Sequence, residues 1–192
     1  MRREVIWESA SGPGIEHLRL TVRDDGVAAD GLVVGVDEGA AFRARYEVRC
    51  DAAWRVREVR AALLDGGEMH LRADGAGHWT AADGATPPDL AGCLDVDIRV
   101  TPFTNTLPIR RLGLRPGESA ELVVVYLALP ALAVTRERQR YTCLAAGPGG
   151  GLYRYESLPG DFRADLLVDA DGLVLDYPGL FRRVWTGEVG RA

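Results

Sequence analysis

The chain has 192 residues, 47% of them hydrophobic and 27% charged, with a net charge of −5. This balance excludes long disorder, and the acidic excess opposes general binding to phosphate backbones, although every one of the 23 basic residues is arginine. A chain of this size fits one domain, taken as residues 1–192, and buries roughly 70% of its unfolded surface, enough for a core without disulfides or metal.

The first residues, Met1-Arg2-Arg3-Glu4-Val5-Ile6-Trp7-Glu8, carry no apolar leader run, so a cytoplasmic location is expected. From Glu16 to Arg23, Leu18, Leu20 and Val22 take one face while His17, Arg19, Thr21 and Arg23 take the other. From Ala41 to Cys50, Phe42, Ala44, Tyr46, Val48 and Cys50 oppose Arg43, Arg45, Glu47 and Arg49. Period-two alternation of this kind marks strands half buried in an antiparallel sheet. Glu118–Leu129, Thr135–Leu144, Leu152–Glu156, Phe162–Val168 and Leu173–Tyr177 read as further strands. Val123-Val124-Val125-Tyr126-Leu127 is apolar enough for burial on both faces.

Six Asp-Gly pairs, at 25–26, 30–31, 65–66, 74–75, 83–84 and 171–172, supply the positive φ of tight reversals, and each is a candidate hairpin turn. Ala145–Gly151 reads as a loop. It lacks the lysine and following helix of a phosphate-binding loop. No stretch approaches the ~20 apolar residues of a membrane-spanning helix; Leu122–Ala133 is interrupted by Pro130. The fold class expected is mainly β.

Polar chemistry concentrates between Asp95 and Leu112, the sequence DVDIRVTPFTNTLPIRRL. Thr101 precedes a proline and is held extended. Asn105 or Thr106 is placed to cap a short helix over Thr104–Leu112, with Pro108 in its first turn, Arg110 and Arg111 in its last, and Gly113 just beyond. Asp95 and Asp97 share a strand face, where two carboxylates suit acid–base work or part of a cation site. The competing reading pairs both with Arg99, Arg110 or Arg111, or has them hydrogen-bond the corner that follows. Thr101, Thr104, Asn105 and Thr106 match sugar hydroxyls as donors and acceptors, but they match the backbone groups of the corner equally well.

Outside this segment, Tyr153 and Tyr155 lie on one strand face, and Gln139 and Tyr141 join the candidate ligand-binding set. His17, His70 and His78 are scattered. Cys50, Cys93 and Cys143 form no CxxC pair and are expected as free thiols. No metal, cofactor or nucleic-acid partner is expected.

In order along the chain, Trp7, Tyr46 to Cys50-Asp51 with Trp54, and Gly77-His78-Trp79 are the first matching landmarks. Asp95-Val96-Asp97, the Thr101–Leu112 run, Gln139-Arg140-Tyr141, Val168-Asp169-Ala170-Asp171-Gly172 and Asp176-Tyr177-Pro178 follow. With these landmarks the chain resembles a bacterial family of putative glycolipid-binding proteins. The resemblance implies a spiral β-roll, a many-stranded antiparallel sheet curled around one short central helix. The leading expectation is a non-enzymatic protein that binds a lipid or glycolipid, with apolar strand faces lining a groove and Arg110, Arg111, Asn105 and the Asp95/Asp97 pair meeting the polar head group. Two alternatives stay open: an enzyme acting on a sugar or phosphorylated metabolite through Asp95 or Asp97 with Arg110 as anion clamp, and a protein-interaction module.

Overall fold

The computed structural model describes residues 1–158 and 160–188, so the end of the expected 1–192 domain lies outside the described residues. Seven strands come first: β1 Arg2–Ser9, β2 Gly14–Arg23, β3 Gly26–Asp37, β4 Ala40–Asp51, β5 Val56–Leu63, β6 Glu68–Ala73 and β7 Trp79–Ala81. After β8, Asp95–Ile98, a short 3-10 turn at Phe103–Asn105 leads into helix α1, Thr106–Leu112. The chain then forms β9 Ser119–Ala128, β10 Ala133–Gly147, β11 Gly150–Leu158, β12 Arg163–Asp169, β13 Val174–Tyr177 and β14 Phe181–Glu188.

All fourteen strands belong to one open sheet in the order β7-β6-β5-β4-β3-β2-β1-β14-β13-β12-β11-β10-β9-β8. Neighbours are antiparallel except β8 and β9, which are parallel. The first and last strands pair with each other at its centre, Arg3 opposite Glu188 and Ser9 opposite Phe181. A twisted sheet of this many strands must curl or split, and this one curls. The segment leading into β8 returns to the first half, where the Val56 N–H donates to the Leu94 carbonyl at 3.4 Å and the Trp79 indole N–H to the Cys93 carbonyl at 2.8 Å.

The helical corner fills the inside of the roll. Phe103 and Leu107 are fully buried in the core formed with β1–β5, β8 and β9, while Ile109 packs into a second core with Tyr141, Tyr155, Leu166 and Tyr177. Thr106 Oγ1 donates to the Gly172 carbonyl at 2.9 Å, tying the helix to the β12–β13 turn. The helix stops at Gly113, whose φ of +58° is the left-handed conformation a helix C-terminus favours and whose N–H returns to the Ile109 carbonyl. Asn105 precedes the helix as expected but does not cap it. Its amide nitrogen donates to the Pro102 carbonyl at 3.3 Å and its oxygen accepts from the Tyr141 hydroxyl at 2.8 Å, because the 3-10 turn already engages the first backbone N–H groups.

Two other expectations are corrected. Asp30-Gly31 is not a turn but lies mid-strand in β3, opposite Tyr46 of β4. The Tyr46 ring lies across Gly31, where a Cβ would sit 2.1 Å from ring carbon Cε1, so this glycine makes room for an aromatic. Ala145–Gly151 is a tight hairpin rather than a loop, since β10 runs to Gly147 and β11 resumes at Gly150.

Candidate functional site

Two adjacent cavities with shared wall residues form the lobes of one cleft. The polar lobe, about 410 Å³, is built by the second half of the sheet and the helical corner: Asp97, Thr101 and Asn105, Tyr126 of β9, Glu137 and Gln139 of β10, Tyr155 and Ser157 of β11, and Tyr177. The apolar lobe, about 270 Å³, is built by the first half: Trp7, Ile15, Val33, Val34, Val36 and Phe42, with Glu16 among them. Arg99, Leu180 and Phe181 line both lobes. Ile15, Val34 and Val36 are 44–47% exposed, leaving the mouth of the apolar lobe open and oily.

In the polar lobe the half-buried Asp97 carboxylate is held at both oxygens. Gln139 Nε2 donates to Oδ2 at 2.6 Å and Thr104 Oγ1 to Oδ1 at 3.3 Å, while the Thr104 hydroxyl accepts from the Ile98 N–H. Burial pushes its pKa up, the Gln139 and Thr104 bonds oppose that, and the Glu137 charge adds to it. The wall is aromatic. Tyr155 packs edge-on against Tyr141 at 5.5 Å and Tyr177 at 6.3 Å between ring centroids. At the junction, Arg99 donates to the Leu129 carbonyl at 2.7 Å and pairs with Asp37 at 2.8 Å, so its charge is already met.

Asp97, Thr101, Asn105, Gln139 and Tyr155 thus line one lobe. Thr104 and Tyr141 stand behind them, bonded to Asp97 and Asn105. The other expected site residues do not join this group. Asp95 is fully buried against Arg111, whose guanidinium grips both carboxylate oxygens at 2.6–3.2 Å. Burial raises the Asp95 pKa and the Arg111 bonds work against it. Arg110 is exposed and lies over the Trp54 ring at 5.3 Å, so it shares no site with Asp97. Tyr153 is buried in the second core. The competing reading therefore holds in both its forms: Asp95 pairs with an arginine, and Asp97 hydrogen-bonds Thr104 of the following corner. The three histidines meet separate acids, His17 with Glu4, His70 with Glu58 and His78 with Asp74, and among the described residues no group of acids, histidines and cysteines has the geometry to hold a metal ion.

Sequence reading left Tyr126, Glu137 and Ser157 out of the site, left out Tyr177 although it lies in the Asp176-Tyr177-Pro178 landmark, and left out Glu16, which carried a local signal. Glu16 falls on the same period-two face as Leu18 and Leu20, an acid on an apolar stripe.

An open, curled, mainly antiparallel sheet wrapped on one helix, with a cleft that is polar at one end and apolar at the other, defines a β-roll. The chain belongs to the family described as "Putative glycolipid-binding", whose model matches residues 4–183. It is also similar to the crystal structure of a DUF1089 family protein from Pseudomonas aeruginosa, with 44% identity over 89% of this chain and 92% of that one and a TM-score of 0.78. No curated protein matches. Among the described residues no helix is long and apolar enough to cross a membrane.

Proposed function

We propose that this protein binds a single-chain amphiphile of the glycolipid class, with the head group in the polar lobe and the chain in the apolar one. The observation that carries this reading is the adjacency of the two lobes across Arg99, Leu180 and Phe181. Amide, hydroxyl and carboxylate groups at Asn105, Gln139, Ser157 and Asp97 suit sugar hydroxyls, and the faces of Tyr126, Tyr155 and Tyr177 suit a sugar ring. The family description agrees with a binding role. Arg110 stands apart from Asp97 over the Trp54 ring, so it is not placed to serve the alternative enzyme as an anion clamp beside that base.

A thermal-shift panel tests the reading. An alkyl glycoside at about 100-fold over its dissociation constant should add roughly 2.7 kcal/mol, a shift of a few degrees, while free glucose and nucleotides leave the midpoint unchanged. Native mass spectrometry of freshly purified protein should show a retained lipid-sized mass. Absence of any shift across single-chain glycolipids would overturn the proposal.

A further inference from the structure

One buried carboxyl is not accounted for by the roles above. Glu16 is 2% exposed, pairs in register with Trp7 of β1 and Val33 of β3, and lines the apolar lobe. Its Oε1 accepts two hydrogen bonds, from the Tyr46 hydroxyl at 2.5 Å and the Thr101 hydroxyl at 2.7 Å. The two hydroxyls also lie 3.1 Å from each other, where either can donate. Thr101 Oγ1 in turn accepts from the Phe103 N–H at 3.0 Å. Among the described residues Glu16 Oε2 is the one buried side-chain oxygen or nitrogen without a partner. An orphaned buried polar atom costs about 1–3 kcal/mol, and a site that tolerates one has a use for it.

The proton inventory says what Oε2 can do. Both hydroxyls engage Oε1, so Oε2 is the carboxyl oxygen left without a protein partner, and burial drives the pKa up to about 8. With the carboxyl neutral and both hydroxyls donating to Oε1, the proton lies on Oε2, a donor with no protein acceptor. Its position matters as much: Glu16 lines the apolar lobe and Thr101, its hydrogen-bond partner, the polar one. A molecule spanning both lobes brings the linkage between chain and head group to this boundary.

We propose that Glu16 is a ligand anchor that donates from Oε2 to a carbonyl oxygen at the head-to-chain linkage, which selects ester- or amide-linked amphiphiles over ether-linked ones. This rests on the amphiphile reading above. The groups facing Glu16 leave it as the titrating one: Tyr46 is held well above its ordinary range by burial and the Glu16 charge, Thr101, Trp7, Val33 and Phe181 do not titrate, Arg99 is paired with Asp37, and Asp97 lies in the other lobe.

The test compares two probes by calorimetric titration, N-dodecanoyl-β-glucosylamine and dodecyl β-glucoside, which differ at the linkage. The wild-type protein should prefer the carbonyl probe by about five- to tenfold at pH 6.5, the worth of one neutral hydrogen bond. That preference should vanish by pH 9.5, where the donor proton is gone. Glu16→Gln, whose amide still donates, should keep it at both pH values, and Glu16→Leu should lose it at both. Should the leucine variant fail to fold, the wild-type and glutamine pH series decide. Equal binding of the probes at pH 6.5, or a preference unchanged at pH 9.5, overturns the anchor and leaves the amphiphile reading standing. Binding of neither probe overturns both.

Discussion

A carboxyl buried beside Trp7, Val33 and Tyr46 makes the stability of the whole chain respond to pH, whatever it binds. The folded Glu16 pKa of about 8 lies above the ordinary 4.5, so between those values the native state holds a proton that the unfolded chain has released. Stability from this group is therefore fully present below pH 4.5 and is lost as the pH rises toward 8. Glu16→Gln removes that titration. Its denaturation free energy should gain on the wild type by up to about 1.4 kcal/mol per pH unit between pH 5 and 8. Urea midpoints at pH 5, 6.5 and 8 check this, and a pH-independent difference would sink it. The adjacent arginines separate in the same way by their surroundings. Arg111→Ala strands the fully buried Asp95 and should cost about 3–5 kcal/mol. Arg110→Ala removes an exposed cation–π contact and should cost no more than about 1 kcal/mol, read from the same midpoints. Two consecutive arginines look alike in sequence; which one meets a buried acid depends on the rotation of a two-turn helix, which spacing alone does not set.

Among the elements, the hairpins were the most legible. Five of the six Asp-Gly pairs sit at turns, and at Gly26, Gly75, Gly84 and Gly172 the backbone takes the positive φ that glycine allows. The sixth failed for a non-local reason, the Tyr46 ring crossing β3 at Gly31 on its way to Glu16 of β2. Local turn chemistry and cross-strand packing both ask for glycine, and only register tells them apart. Gly31→Ala should displace that ring and cost at least about 1–3 kcal/mol, whereas Gly12→Ala, with no atom within 4 Å, should be near neutral. Equal denaturation midpoints for the two variants would mean that the ring gives way freely. The helix was legible from its proline, its arginines and Gly113. The failure of Asn105 to cap it was not, because Asn105 answers to Tyr141, 36 positions along the chain.

At the scale of the molecule, the β class followed from alternation, but the order of strands did not. A polar lobe that joins Asp97, Gln139, Tyr155 and Tyr177 exists only once β8, β10, β11 and β13 curl over the helix, and nothing in any one segment encodes that curl. The most distant pairing is the one at the centre of the sheet. Arg3 reaches Thr186, 183 positions away, and the Trp7 indole N–H reaches past β14 to the Val174 carbonyl at 2.8 Å. On the ribosome this places a burden on timing. At roughly 5–20 residues per second, β1 waits on the order of ten seconds or more for β14 to emerge. Throughout that interval β1 presents an unpaired edge to any strand that passes. The nascent first half is in effect an open zipper whose matching teeth are made last, and a holding chaperone that covers β1 would raise the yield of folded protein without touching its final stability.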